Sequence, residues 1–242
     1  MRIAGRLAGP LFIAAVMILT IAAPAGATSF VLNGGFEAGL AGWTRADQLG
    51  SEGTFFLQSG VLSPVVADPV PAPPGGLFAA MSDAAGPGSH VLYQDFVAAA
   101  ETASLQFDLF IGNRADRFAT PASLDFSTPA LNQQARVDIL RAGADRFSVA
   151  PADILMNVFQ TQVGDPLVSG YTTIAVDLSA LLASNAGQTL RLRFANVDNL
   201  FAFQLGVDNV SLEGQAAAAV PEPASLILLG TGLAALVRRR SR

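Results

Sequence analysis

Nineteen carboxylates are the commonest reactive groups in this chain, and two of them sit beside stretches of alternating polarity. Asp108 falls among Leu105, Phe107, Leu109 and Ile111, and Asp138 stands next to Ile139. Two carboxyl groups about 5–9.5 Å apart do acid, base or nucleophile work in glycoside hydrolysis. Nothing in their spacing along the chain brings these two together, and the expectation is solvated carboxylates on outer strand faces. His90 is the only imidazole; it follows Gly86-Pro87-Gly88-Ser89 and is expected at an exposed turn. As the base of a hydrolase triad it would need a serine on a Gly-x-Ser-x-Gly elbow, and the chain contains none. The absence of cysteine excludes a disulfide framework, a thiolate metal site and a cysteine nucleophile. These residues predict no catalytic group, and the expectation is a protein that is not an enzyme. Trp43, Tyr93 and Tyr171 are of the right type to stack on sugar rings. Trp43 and Tyr93 are the carbohydrate-binding candidates, although Trp43 beside Phe36 equally suits a ring capping a core.

The elements that would position these groups are strands. Leu105–Ile111, Ile174–Leu178 and Leu190–Phe194 alternate apolar and polar with period two, the mark of a half-buried strand. Weaker strands are predicted at Phe55–Gln58, Leu77–Met81, Val91–Phe96, Val137–Leu140 and Ala202–Val207. Short helices are predicted at Ser179–Asn185, closed by Gly187, and at Pro151–Val158. Residues 64–76, with five prolines, predict an exposed loop, and 114–134 a second long loop. The apolar phase runs Phe203, Leu205, Val207 and restarts at Val210, Leu212, which predicts a bulge at Asp208-Asn209. Many short strands separated by turn residues make an all-β chain, an antiparallel β-sandwich spanning residues 28–214. Between Thr28 and Glu222 eight arginines face all nineteen acids, so this stretch carries a net charge of −11. Such a surface repels a phosphate backbone, and nucleic acid is excluded as a partner.

The two ends read as addresses. Arg2 and Arg6 precede an apolar stretch, Leu11–Ala23, and Ala25-Gly26-Ala27 supplies small residues at a cleavage site. Residues 1–27 therefore predict a secretory signal peptide, cleaved at Ala25 and Ala27. At the other end Val220-Pro221-Glu222-Pro223 leads into apolar Ala224–Val237 and then Arg238-Arg239-Arg240-Ser241-Arg242. As a helix of roughly 1.5 Å per residue this run falls short of a hydrocarbon core about 30 Å thick. The closing arginines should hold its end on the cytoplasmic side. The segment is a transmembrane helix suited to pausing in an inner membrane rather than staying.

That three-part tail, residues 215–242, resembles the PEP-CTERM sorting signal, with Pro221, Glu222 and Pro223 as its motif. The resemblance implies an exosortase substrate, secreted or held at the cell surface of a Gram-negative bacterium that makes exopolysaccharide. The body carries a second resemblance. Asn33-Gly34-Gly35-Phe36-Glu37 with Gly42-Trp43 opens it, Tyr93-Gln94-Asp95-Phe96 lies in its middle, and Val207-Asp208-Asn209-Val210-Ser211-Leu212 closes it. In that order the motifs are similar to galactose-binding-like jelly rolls, including carbohydrate-binding modules. This implies a jelly roll with neighbouring first and last strands, and a structural Ca2+ held by Glu37 and Asp208. The combined expectation is a non-enzymatic surface or biofilm-matrix protein that binds exopolysaccharide. The alternatives are a secreted polysaccharide hydrolase and a matrix protein with no ligand.

Overall fold

The computed structural model describes residues 27–99 and 102–215, and within them the chain is a β-sandwich. Its strands are β1 (Ala27–Ser29), β2 (Thr44–Asp47), β3 (Thr54–Gln58), β4 (Ala79–Asp83), β5 (Gly88–Val97) and β6 (Thr102–Asn113). They continue as β7 (Gln133–Arg141), β8 (Ile154–Gln160) and β9 (Thr172–Asp177), then the helix α1 (Ser179–Ser184), β10 (Thr189–Asp198) and β11 (Phe203–Gln215). One sheet runs β3-β4-β11-β6-β9, with β1 also on β11; the other runs β2-β5-β10-β7-β8. Pairings are antiparallel, and the chain crosses repeatedly between sheets, the jelly-roll pattern. The first and last strands are neighbours, Ala27 facing Gln215. Ala27, expected to end the signal peptide, therefore opens β1.

Alternation decides which side chains meet between the sheets. Leu105, Phe107, Leu109 and Ile111 of β6 face Leu190, Leu192 and Phe194 of β10 across one apolar layer. The Phe107 and Phe194 rings meet edge-on across it, 5.2 Å apart. The phase slip in β11 is a bulge: Asp208 faces Asp108 and Ser211 faces Gln106, so one residue is extra, and Asn209 takes a φ of 50°. The bulge is what lets Val207 and Val210 both point inward. Gly34 is needed here because its carbonyl accepts the Val210 N–H at 2.9 Å and a Cβ on it would overlap the Val210 carbonyl.

Two expectations change. Residues 154–160 form a strand, not a helix: β8 pairs with β7 through two register shifts that leave Val158 and Leu155 as extra residues. Those shifts erase the period-two pattern by which a strand is recognised. The loop 64–76 is not wholly exposed, because Val70 packs with Met81, Phe110 and Tyr171 on the outer face of the first sheet. The loop 114–134 likewise buries Leu124 against Val91, Ala195 and Val197 on the outer face of the second. Among the described residues no helix is long and apolar enough to cross a membrane. Ala25, the rest of the signal segment, the sorting motif Pro221, Glu222 and Pro223 and the apolar run after it lie outside the described residues.

Candidate functional site

At one end of the sandwich opens a cleft of about 420 Å³, within the roughly 300–1,000 Å³ of small-ligand pockets. It lies between the turn after β4 (residues 84–87) and the turn joining β10 to β11 (residues 199–202), with Val66 and Asp68 at its side. The segments beside it are fixed by hydrogen bonds to buried and half-buried polar side chains. Asp83 accepts the Val65 and Val66 N–H groups on Oδ2, at 2.6 and 3.0 Å. Gln204 Nε2 donates to Asp68 Oδ2 at 3.1 Å, and Arg114 Nε stands 3.4 Å from the same carboxylate. Gln133 Oε1 accepts the Leu200 N–H at 3.2 Å while its amide donates to the Phe201 carbonyl at 2.8 Å. Asn199 Nδ2 donates to the Ala130 carbonyl at 2.8 Å.

Two residues distinguish this cleft. Phe201 lines it and is 65% exposed. Asp198, the last residue of β10, lines it while only 3% exposed, and its Oδ1 has no hydrogen-bond partner among the described residues. Burial, reinforced by the charge of Asp83, pushes the Asp198 carboxyl up to about 8, against backbone hydrogen bonds that oppose the rise. A carboxyl neutral at pH 7 both donates and accepts, so it matches a hydroxyl group. Neither residue stood out in the sequence: Phe201 was one of sixteen phenylalanines and Asp198 one of nineteen acids.

The sugar-stacking candidates lie elsewhere and are not brought together. Trp43 is 7% exposed, packed against Phe36 and Phe194, with its Nε1–H donating to the Asn33 carbonyl at 3.1 Å. Its ring caps the core and offers no free face. Tyr93 is half-buried on the outer face of the second sheet, where the Arg191 guanidinium covers its ring at 4.1 Å and pairs with Asp95 at 2.7 Å. Tyr171 donates its hydroxyl to Gln58 Oε1 at 2.9 Å and packs on Phe110.

Asp108 lies on an outer face as expected, whereas Asp138 and the histidine depart from expectation. Asp108 points outward from the first sheet and Asp138 outward from the second, since their strand neighbours Phe107, Leu109, Val137 and Ile139 all point into the core. With facing sheets about 10 Å apart, two outward carboxyls lie beyond the reach of one glycosidic bond. Asp138 is also not solvated. It is fully buried, accepting from Arg136 Nε and Nη2 at 2.8 and 2.7 Å and from Arg193 Nη2. Burial alone would raise its pKa; the two guanidinium groups outweigh that and hold it below the ordinary carboxylate range. Asp108 accepts from Thr173 and from Asn209, the latter at 2.7 Å. His90 is not at an exposed turn: it is 1% exposed inside β5, its Nδ1 2.8 Å from Asp47 Oδ1.

Glu37 and Asp208 do converge, on the segment 75–78. Glu37 Oε1 accepts the Leu77 and Phe78 N–H groups at 2.8 and 3.0 Å, and Asp208 Oδ2 accepts the Gly75 N–H at 3.1 Å. A Cβ on Gly76 would run into the Glu37 carboxylate, so glycine keeps that cradle open. Burial, together with the charges of Asp108 and Glu37, pushes Asp208 up to about 6, against backbone hydrogen bonds from Asn209 and Gly75. Both carboxylates are held by backbone N–H donors, and the negative charge they share is of the sign that suits a cation. Among the described residues no three metal-ligating side chains gather tightly, so backbone oxygens or water would have to complete a calcium shell.

Comparison with known proteins bears on the tail and the fold separately. A family model described as the PEP-CTERM protein-sorting motif matches residues 219–241. No curated protein matches the chain. Among solved structures, the K3 cleaved adhesin domain of Lys-gingipain from Porphyromonas gingivalis is 13% identical, with a TM-score of 0.47 over 78% of this chain and 99% of that one. A cyclase from Fischerella sp. TAU solved with a pyrrolidinylidene-indole is 18% identical, TM-score 0.47, over 79% and 100%. The module TmCBM61 in complex with beta-1,4-galactotriose is 9% identical, TM-score 0.45, over 78% and 99%. The chain is thus an exported surface protein of Gram-negative-type sorting, carrying a PEP-CTERM protein-sorting motif behind an antiparallel β-sandwich.

Proposed function

We propose that this is a non-enzymatic cell-surface or biofilm-matrix protein, processed at its tail by an exosortase, whose sandwich binds glycan of the surrounding exopolysaccharide. The observation that carries the reading is the cleft beside Phe201 and Asp198, placed on a body that the sorting motif at 219–241 sends out of the cell. An exposed aromatic ring next to a neutral, hydrogen-bonding carboxyl suits a ligand with one apolar ring face and hydroxyl edges. A non-enzymatic role is supported by His90, buried against Asp47 and so unable to reach a substrate, and by Asp108 and Asp138 on opposite outer faces. Calcium held by Glu37 and Asp208 would serve structure here, tying the opening turn to the closing strand.

A glycan array read with and without calcium tests the binding. Reducing sugar released from the host exopolysaccharide would replace this reading with a hydrolase. An empty array would leave a structural matrix role.

A further inference from the structure

We propose that the cleft between residues 84–87 and 199–202 is the glycan subsite and that it selects neutral hexopyranose residues over uronic acids. The selection rests on the glycan-binding reading above and adds a ligand class to it. The geometry supplies three reasons. Phe201, 65% exposed at a turn held by Gln133 and Asn199, presents an aromatic surface whose backbone cannot swing away. Asp198 lines the cleft with a buried oxygen that lacks a partner, and a ligand hydroxyl would supply the hydrogen bond it is missing.

The third reason is charge. Asp68 and Asp198 both line the cleft, and Asp83 lies behind its wall. The nearby Arg114 is already engaged by Asp68, the Pro69 carbonyl and Gln204. A carboxylate-bearing sugar would enter beside the Asp68 carboxylate, with the Asp83 charge behind the wall, and would meet no uncommitted guanidinium among the described residues of the cleft. Like charge at a partly desolvated site repels strongly enough to decide between ligands. The volume, about 420 Å³, sits toward the small end of the roughly 300–1,000 Å³ of ligand pockets, which favours a chain end or a short stretch over a long polymer groove.

The test titrates the intact sandwich by calorimetry with neutral β-1,4-linked gluco- and galacto-oligosaccharides and with oligogalacturonate. We expect a neutral oligosaccharide to bind and oligogalacturonate to bind at least tenfold more weakly. Phe201→Ala should weaken the neutral ligand at least tenfold with an unchanged melting temperature, and Asp198→Asn should weaken it less than Asp198→Ala. Val163→Ala, an exposed residue outside the cleft lining, should bind as wild type. Binding that survives Phe201→Ala and Asp198→Ala would overturn the site while leaving a glycan-binding protein. Equal or tighter binding of oligogalacturonate would overturn the selectivity. No binding of any neutral or acidic glycan would overturn the glycan reading itself.

Discussion

Replacing Asp138 by alanine tests how the second sheet tolerates charge at its centre. Asp138 and Arg193 are both fully buried, and Arg136 nearly so. One carboxylate accepts from both guanidinium groups and from Asn157 Nδ2 at 2.8 Å. Arg193 retains the Arg146 and Ser148 carbonyls at 2.7 and 2.8 Å when the carboxylate goes, which satisfies donors but not charge. Removing one partner of a buried ion pair costs about 3–5 kcal/mol, because a desolvated charge is left behind. For a domain of this size each kcal/mol moves the midpoint by about 2–4 °C, so Asp138→Ala should melt roughly 6–20 °C below wild type at pH 7. Asp116, whose partner Arg117 is exposed with it, is the control, and Asp116→Ala should leave the midpoint unchanged. The pH dependence has a defined sign. The folded pKa of Asp138 lies below its ordinary value, so its contribution is present above about pH 4 and is lost as pH falls through the folded value. The gap between wild type and Asp138→Ala should therefore narrow in acid, as followed by calorimetry or circular dichroism across pH 7 to 3. A variant melting within about 2 °C of wild type at pH 7, less than 1 kcal/mol, would refute the reasoning, as would a gap that widens in acid.

Gly34→Ala should destabilise by about 1–3 kcal/mol in urea, since its Cβ would overlap the Val210 carbonyl. Gly35→Ala, which meets nothing within 4 Å, should stay within about 0.5 kcal/mol. Asp198 is pushed up to about 8, so the stability it contributes is complete below about pH 4 and declines as pH rises toward 8. Asp198→Asn should consequently gain on wild type in melting temperature between pH 5 and pH 9, and parallel curves for the two proteins would count against this. Asp83, whose charge adds to the rise, is the titratable neighbour whose substitution should shift that dependence. Chelator should lower the melting temperature of wild type and scarcely alter a Glu37→Ala, Asp208→Ala double variant; identical wild-type melting in excess calcium and in chelator would remove the metal. Mass spectrometry of the exported protein should find a C-terminus near Pro221–Pro223, and an intact Arg242 in cells with active exosortase would contradict processing there.

Where one face of a strand is buried, the chain announces it. Leu105–Ile111, Leu190–Phe194 and Ile174–Val176 read as strands because period-two alternation is a direct imprint of one apolar and one polar face. The bulge in β11 was legible for the same reason: an inserted residue shifts the apolar phase, and the shift from Val207 to Val210 is visible without coordinates. The tail was legible because a sorting signal is recognised as linear sequence, before any fold exists. β8 was not legible, since its two register shifts scramble the alternation, and β2 carries a single buried residue, Ala46, in four.

Chemistry was decided by tertiary structure, because burial and pairing are properties of neighbours distant along the chain. Asp138 and Asp108 look alike in sequence, yet one lies under two arginines and the other beside Thr173 and Asn209. His90 reads as a turn residue and lies in the interior because β2 and β10 flank β5 on both sides. Trp43 reads equally as a sugar platform or a core ring until the sandwich closes over it. The sequence by itself determined the sorting address at the tail, the half-buried strands with regular alternation and the acidic balance of the body, and its resemblance to jelly rolls implied the junction of first and last strands. Only the folded chain determined that residues 84–87, 68 and 198–202, far apart in sequence, make one cleft. The physical reason is that apolar periodicity is local and cumulative, whereas a binding site is an intersection of loops whose positions are set by the sheets beneath them.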